Sequence, residues 1–521
     1  MNSSQRSSIF HFLLGSLYLT ALSANGVGDP AQKQWVTQGS DGHLHYDATS
    51  KGDAIPDFSQ AGYGGGGVAL PDVPVQQTVA PSDGDDVSAI QVAIDAIAAM
   101  PLTNGFRGAV LLKAGTFHCA TPIKISQTGV VLRGSGSGDT GTVIEMTGSP
   151  HVCLQIFGAP IKTPKLDPAS ALAITDAYIP TGAQSFTVRS ASSLKAGDTI
   201  FIERKLTAAW IHSLGMDTLV RNNSPQTWIH TDQVTTYERN IRSIEGNNIN
   251  LDVPMPDAID AQLMAPDTAM VYKVPAPNRL SQCGIQSLQI NSTPPTGTLT
   301  KKNNGAILLD NCEDCWVKDV TMKDTLNNIQ VMDHSRRITV EGANAFHTAT
   351  VAKGAGYPAD YTVRGTQILF DRSSSTGHGS FYVTTANTQS YLNVILNCNF
   401  YGDNGDGGAI QPHARWSTAM LVDGCNVPDG KIEFINRGTA GSGHGWAMGW
   451  GVAWNCTAKI LNFQQPPGVI NWCVGCTGEL DKKTGLTDGY FSLGTPVVPK
   501  SLYLAQLQER LGASALKNIG Y

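Results

Sequence analysis

Charge is scarce in this sequence, and none of it is concentrated. Charged residues make up only 15% of the 521 positions, and Lys and Arg nowhere form a basic run. The formal net charge is −6 and the pI is near 6.0, so the chain as a whole attracts neither nucleic acid nor an anionic membrane surface. Long helical patterns are also few. An acidic polymer would therefore have to bind at a local cluster of basic side chains.

Hydrophobic runs long enough to cross a membrane are missing as well. The longest apolar stretch, from Ile9 to Leu22, is shorter than the roughly 20 residues that a spanning helix needs. Arg6 precedes this stretch and the small-residue sequence ALS ends it, which is the pattern of a secretory signal. We therefore predict a signal peptide over residues 1–23 and a secreted, extracellular protein with no membrane partner.

Secretion makes the ten cysteines candidates for disulfide bonds. Two pairs, Cys312 with Cys315 and Cys473 with Cys476, have the C-x-x-C spacing of zinc ligands. No other pair of ligands has a matching spacing, so disulfides or a stack of buried thiols are favoured over a metal. The other cysteines lie at positions 119, 153, 283, 398, 425 and 456.

Short strands and tight turns dominate the chain, as its 55 glycines indicate. Residues 24–80 are predicted to form an extended N-terminal strap. The sequence SDGDDVSAIQVAIDAIAAM that follows (82–100) begins with capping residues and has apolar residues at helical spacing, which predicts an amphipathic helix. The strand-like sequences VLLKAGTF and VVLRGSG come next, separated by glycines.

This order of one helix and two such strands resembles the opening of the pectate-lyase-like superfamily of right-handed parallel β-helix proteins. The resemblance covers roughly residues 80–480. It implies that the helix caps the open end of a coil, that residues 81–175 hold this helix and the first coils, and that the ligand is a carbohydrate. It leaves the chemistry open, because lyases, hydrolases, epimerases and binding proteins share the scaffold.

Residues 176–282 have a different pattern. FTVRSASSLKAGDTIFIERK and ERNIRSIEGNNINLDVPM are typical of antiparallel hairpins, with AGD and EGNN as turns. Between them a long segment carries Trp210, His212, Trp228 and His230. We predict an inserted small β-subdomain whose long loop leans over a cleft.

A repeat runs through residues 283–480. Phrases such as LLDNC, LFDRS and LVDGC share an apolar pair, an Asp or Asn, and a small or polar residue. Their steps fit the coils of a solenoid with loops inserted at some turns. The fold class predicted is all-β, a right-handed parallel β-helix with a capping helix, and an amphipathic helix in the tail (481–521). The markers are Asp310, Asp333, Asp371, Asn397, Asp423 and Asn455.

Polar and aromatic side chains are densest between positions 403 and 476, where five of the nine tryptophans lie. The short sequences PHARW and SGHGW place a His beside glycines, Arg and Trp. Aromatic rings can stack on sugars while Asn, His and Arg bind hydroxyl or carboxylate groups, although each Trp could equally be a core residue. The predicted substrate-binding residues are Trp416, Asn436, Trp446, Trp450, Trp472, His378, Asp403 and Asp406.

Four residues of this stretch could carry out β-elimination on a uronic-acid polymer. They are His413, Arg415, Arg437 and His444. One His would act as the base, an Arg would bind the carboxylate in a bidentate pair, and the other His or a Tyr would act as the acid. The two histidines are about one coil apart, so they can share one face of a β-helix.

Hydrolysis is the main alternative, because Asp403 and Asp406 provide two neighbouring carboxylates. The segment SGHGWAMGW resembles the Gly-His-Gly segment of polygalacturonase-like glycoside hydrolases. It lacks their adjacent Asp pair and their Arg-Ile-Lys, so their carboxylate roles are not transferred. GDNGDG also resembles a calcium loop without the later Glu, so Ca²⁺ is an optional cofactor and no other is expected.

Two further readings remain. Basic residues of the preceding coils, including the sequence HSRR at 334–337, would be subsites for acidic sugars or solvated corners. A β-helix that binds glycan without cleaving it is the non-enzymatic alternative. In each case a polysaccharide is the expected partner, and the chain is expected to be a monomer.

Overall fold

The computed structural model describes residues 34–160, 166, 170–293, 297–300, 303–351, 359–377, 381–402 and 407–521. The predicted signal peptide, His378, Asp403 and Asp406 lie outside these residues. No helix in the described ranges is long and apolar enough to cross a membrane.

The body of the protein is a parallel β-helix, as predicted. A continuous sheet of 28 strands, paired in parallel, winds around an apolar interior. Three faces follow one another in each coil, and the longest strands bend from one face to the next. The first face contains Val75–Val79, Gly108–Leu112, Val130–Arg133, Leu280–Ser281, Leu369–Asp371, Tyr391–Leu396, Ser417–Asp423, Met448–Gly449, Val452–Trp454, Trp472–Val474 and Tyr490–Phe491.

The second face contains Gly115–Cys119, Thr142–Met146, Ser374–Thr376 and Asn399–Tyr401. The third face contains Ile123–Ile125, Val152–Phe157, Gly305–Asp310, Ile329–Val331, Ala359–Val363, Phe381–Thr385 and Ala409–Ile410. Strands that contribute to two faces are Gly284–Ser292, Cys312–Lys323, Arg336–Phe346, Asn426–Phe434, Thr457–Phe463 and Thr477–Leu480.

The repeat marks corners of the coil, but its markers fall into different positions. Asn397 and Asn455 occupy the corner between the first and second faces with φ of 48° and 49°, the left-handed region that Asn tolerates. Gly424 takes the same position with φ of 62°. Asp310 instead ends a strand of the third face. The repeat therefore predicted the solenoid, although equating all six markers was wrong.

All ten cysteines are free and buried, so the disulfide prediction is wrong and the alternative of stacked buried thiols is confirmed. Residues 398, 425, 456 and 476 follow the left-handed corner residues of successive coils and point into the core. The Cys456 thiol donates to the carbonyl of Val422 at 3.2 Å. Burial raises the pKa of the Cys425 and Cys456 thiols well above its usual value.

We expect the ten thiols to be inert in the folded protein and reactive after unfolding. Without reductant, titration with a chromogenic disulfide reagent should give no reaction in native buffer and ten equivalents in denaturant. A lower count in denaturant would mean that disulfides had formed after all.

The predicted capping helix is present as α1 (Val87–Ala98). Its buried residues Ile90, Ile94 and Ile97 are spaced at three and four positions, so one face of the helix packs on the strands of the first coil. Asp86 does not cap the helix through its side chain. Its carboxylate accepts from Ser82 and from the backbone N–H of His118, which ties the helix start to a strand.

The inserted β-subdomain has an antiparallel sheet of six strands, whose apolar residues form one core with the strap, the first face of the later coils and the tail. Helices α2 (Ala208–Ser213) and α3 (Ala261–Met264) connect its strands. The six strands are Leu172–Ala173, Ser185–Thr187, Thr199–Lys205, Val234–Glu245, Asn248–Leu251 and Met270–Lys273. Short pairs of strands outside the two main sheets are Val36–Gln38 with Leu44–Tyr46, Tyr178–Ile179 with Ile259–Asp260, Val220–Arg221 with Ser224–Pro225, and Thr298–Leu299 with Thr350–Val351.

The tail forms two helices, α4 (Leu502–Leu511) and α5 (Ala513–Asn518). α4 docks on the coil through Asp423, which is fully buried. The Asp423 carboxylate accepts from the Ser501 hydroxyl at 2.7 Å and from the Tyr503 backbone N–H at 2.8 Å. Burial raises the pKa of Asp423 to about 7. This contact fixes the start of the helix that the sequence predicted.

A raised carboxyl pKa makes this docking weaker as the pH rises. The contribution of Asp423 to stability should be complete below its unfolded pKa of 3.8 and decline up to about pH 7, because the unfolded chain releases the proton earlier. Asp423→Asn cannot ionise, so its melting temperature relative to wild type should rise across this interval. A difference that stays constant with pH would contradict the assignment.

Candidate functional site

The four predicted catalytic residues come together on two adjacent coils. His413 and Arg415 follow the strand Ala409–Ile410, and Arg437 and His444 follow the strand that is its parallel neighbour. The two imidazole rings are in contact, with centroids 4.5 Å apart. All four side chains are half-buried, so a ligand can reach them. We call this group the His–Arg cluster.

Backbone hydrogen bonds hold the two turns of the cluster against each other. The N–H of Arg415 donates to the carbonyl of His444 at 3.2 Å, and that of Trp416 donates to Trp446 at 3.0 Å. The N–H of Arg437 donates to the carbonyl of Gly445 at 2.8 Å, which closes the turn that carries His444. The spacing of the side chains is therefore set by the coil and not by the side chains alone.

Arg437 fixes the tautomer of His413. Its Nη1 lies 2.9 Å from Nδ1 of His413 and donates to the His413 carbonyl at 2.7 Å. A guanidinium only donates, so Nδ1 must accept and the ring proton of neutral His413 sits on Nε2. The Arg437 guanidinium also lies over the ring of Phe381, at 5.7 Å from its centroid. His413 can therefore present an N–H donor to a ligand.

The loop around Gly441 shapes the other side of the cluster. Arg415 donates to the Ser442 hydroxyl at 2.7 Å, and Arg221 of the inserted subdomain donates to the Gly441 carbonyl at 2.6 Å. A Cβ on Gly441 would lie 2.2 Å from Nε2 of His444, so only glycine allows the ring this position. Nδ1 of His444 is buried without a hydrogen-bond partner among the described residues.

Both histidines are held neutral at ordinary pH. Burial, followed by the charge of Arg437, lowers the pKa of His413 to about 4. The pKa of His444 is lowered to about 4 by burial and then by the charges of Arg437, Arg415 and Arg221. Three guanidinium groups thus surround two uncharged imidazoles, which makes this part of the surface attractive to an anion.

The tryptophans predicted to stack on sugar are buried, and that prediction is wrong. Trp416, Trp450 and Trp472 are at most 1% exposed and Trp446 is 8% exposed, so none offers a ring face to a ligand. They seal the junction between the inserted subdomain and the last coils. Trp416 and Trp450 both donate to the buried carboxylate of Asp257, at 2.8 and 2.9 Å.

Asn436 is half-buried like the cluster residues, and its side chain also holds their turn in place. Its side-chain oxygen accepts from the N–H of Gly438 at 2.8 Å, which stabilises the turn before Arg437. Its own backbone N–H donates to Gln464 at 2.8 Å, linking the turn to the next coil. Through these two hydrogen bonds Asn436 fixes the turn that carries Arg437.

A row of polar residues on the third face was missed. Gln411, Glu433 and Asn462 occupy equivalent positions on three successive strands, and the Gln411 amide donates to the Glu433 carboxylate. Gln411 stands two residues before His413, so the row continues the cluster along the coil. Polar residues at alternate positions in AIQPH and KIEFIN were the available signal.

Within the described ranges, no group of three or more His, Cys, Asp or Glu side chains is arranged to hold a metal ion. The calcium-like sequence at 403–406 falls outside them, so calcium stays a prediction.

No protein-family model matches the chain, and no curated protein matches its sequence. Solved structures that align with it include a tailspike of an Acinetobacter baumannii bacteriophage in complex with capsular saccharide (11% identity, 80% of this chain and 71% of that chain, TM-score 0.29). Another is the A-module of a mannuronan C-5 epimerase from Azotobacter vinelandii (11%, 79% and 76%, TM-score 0.33). A third is a surface adhesin of Streptococcus pneumoniae (11%, 80% and 83%, TM-score 0.33). The parallel β-helix architecture itself follows from the strand pairing described above.

Proposed function

We propose that the protein is a secreted carbohydrate-active enzyme that cleaves a uronic-acid-containing polysaccharide by β-elimination at the His–Arg cluster. The observation that carries this proposal is the contact of two neutral histidines inside a ring of arginines. The resemblance of the first coils to the pectate-lyase-like superfamily supports a carbohydrate ligand.

Arg415 and Arg437 would bind the uronate carboxylate. Carboxylates pair with guanidinium groups through charge-assisted hydrogen bonds, and such pairs withdraw electron density from the adjacent C5–H bond. The bound carboxylate also offsets the positive charge that lowers the pKa of both histidines. Binding of substrate would thus make His444 a stronger base than it is in the free enzyme.

The elimination step then follows from the two imidazoles. His444 takes the proton from C5, the electrons of the C5–H bond form a C4–C5 double bond, and the bond from C4 to the glycosidic oxygen breaks. His413 donates a hydrogen bond from Nε2 to the leaving oxygen, since Arg437 holds its Nδ1 as an acceptor. Water protonates this oxygen, and the hydroxide that forms takes the proton from the His444 imidazolium, so both imidazoles end the step neutral.

The test is ultraviolet absorbance of the unsaturated product during incubation with a panel of uronate and neutral polysaccharides. A uronate polymer should give the signal with wild type and lose it with His444→Ala. His212→Ala, an exposed histidine of α2, is the matched control and should keep full activity.

Two results would overturn the elimination mechanism. New reducing ends without the absorbance would indicate hydrolysis and direct attention to Asp403 and Asp406. Binding of a glycan without new ends would indicate a non-catalytic β-helix.

A further inference from the structure

A cavity lies between the inserted sheet and the corners of the coils that precede the His–Arg cluster. Its volume is about 200 Å³. Phe201 and Thr236 line it from the inserted sheet, and Thr366, Gln389 and Tyr391 line it from the coils. We call it the corner cavity.

The charged groups at the corner cavity are paired with one another. Glu238 forms a bidentate pair with Arg279, at 2.7 and 3.1 Å, and its carboxylate also lies 2.8 Å from Arg336. Asp333 accepts from Arg364 at 2.9 Å. Arg337 pairs with Asp314 at 2.6 Å, so both arginines of the sequence HSRR are neutralised within the protein, which argues against a subsite for acidic sugars here.

Four neutral polar groups of the cavity are uncommitted, whereas Ser335 and Gln367 donate to the carbonyls of Leu309 and Gln60. The hydroxyls of Thr236, Thr366 and Tyr391 and the amide of Gln389 make no side-chain hydrogen bond to any described residue. Tyr391 and Phe201 are only 3% and 7% exposed, and they add apolar surface to the wall. Hydroxyl and amide groups beside aromatic carbon, without net charge, are complementary to a neutral polyhydroxylated ring.

The corner cavity is in line with the His–Arg cluster. Thr366, Tyr391 and Thr418 are paired on successive coils, and Arg415 is three residues before Thr418. The N–H of Asn387, two residues before Gln389, donates to the carbonyl of Ala414, between His413 and Arg415. Neighbouring coils are about 4.8 Å apart, so an extended chain can reach from one place to the other.

We infer that the corner cavity binds a neutral sugar unit of the glycan whose acidic unit occupies the His–Arg cluster. This inference rests on the proposed function and narrows it, because the substrate becomes a mixed polymer in which a neutral sugar is close to the uronate. Uncharged donors and acceptors in the corner cavity would select the neutral sugar. The guanidinium groups of the His–Arg cluster would select the uronate.

Saturation-transfer NMR with methyl glycosides of neutral hexoses, and with glucuronate and galacturonate, tests the cavity without needing catalysis. With wild type, at least one neutral glycoside should show a saturation-transfer signal. The double variant Thr366→Val with Gln389→Ala should lose that signal. The matched control is Thr78→Val with Gln77→Ala, the same chemical change on an exposed strand. On a mixed polymer the cavity variant should raise KM roughly tenfold with kcat unchanged.

The outcomes separate the two proposals. Neutral-glycoside binding that depends on Thr366 and Gln389, in a protein that releases no unsaturated product, would overturn the elimination and keep the cavity assignment. Absence of a neutral-glycoside signal, a signal unaffected by the cavity variant, or preference of the cavity for uronates would overturn the cavity assignment.

Discussion

Replacing Asp257 with alanine should lower the free energy of unfolding by about 3–5 kcal/mol. Asp257 is 2% exposed, and its carboxylate accepts from Trp416, Trp450 and Arg204. The Arg204 side chain is itself only 4% exposed, so the variant leaves a buried cation without its counter-ion and two indole N–H groups without an acceptor. One substitution thus removes three charge-assisted contacts at the junction of the inserted subdomain and the coil.

Urea denaturation followed by circular dichroism measures this loss. Asp267→Ala is the matched control, because Asp267 forms an ion pair with Lys205 in which both side chains are about half exposed, and such pairs contribute at most about 1 kcal/mol. Asp257→Asn keeps an acceptor, so its denaturation midpoint should lie between those of the Asp257 and Asp267 alanine variants. Equal denaturation midpoints for the Asp257 and Asp267 alanine variants would show that the buried pair adds no stability.

Arg437→Ala should lower kcat/KM by roughly 10²–10³-fold. The guanidinium is assigned to the substrate carboxylate, and it also holds His413 in the tautomer that donates from Nε2. Its charge is the largest electrostatic cause, after burial, of the low pKa of His413. Removing it should raise that pKa from about 4 toward the ordinary 6.5.

Two measurements examine this prediction independently. NMR titration of His413 should show the higher pKa whatever the substrate proves to be, and Arg437→Lys should restore the charge without the bidentate geometry. Arg189→Ala, at an exposed position of the inserted subdomain, should change neither rate nor titration. An unchanged pKa of His413 in Arg437→Ala would contradict the geometry of the cluster.

The sequence predicted the solenoid because its repeat has a physical cause. A coil corner needs a residue that accepts positive φ, followed by a small residue that faces inward, and Asn397-Cys398 and Asn455-Cys456 meet both needs. Asp310 belongs to a different corner. It carries a similar local pattern, since any strand that ends at a turn has apolar residues before a polar one. The sequence pattern alone therefore could not assign each marker to a face of the coil.

The His–Arg cluster was predictable because the coils wind regularly, but the residues that surround it were not. His413 and His444 are separated by one coil, so regular winding brings them together. Trp416 and Trp450 were misassigned because a sealed aromatic junction and an open aromatic groove have the same composition. Arg221 comes from the inserted subdomain, and no periodicity links it to the Gly441 carbonyl that it contacts.

The docking of α4 on the N-terminal strap also determines when the molecule can be finished. Phe58 donates to Gln506, the Tyr503 hydroxyl donates to the carbonyl of Ala61, and Arg510 donates to Ser59. These partners are 442 to 451 positions apart. At ~5–20 residues per second of synthesis, the strap emerges on the order of half a minute before its partner helix exists. The contacts of Phe58, Ser59 and Ala61 with α4 must therefore wait until every coil has been made, although Tyr63 of the strap can already donate to Thr339 of a coil. A chain that ends before α4 lacks only the helix side of these contacts.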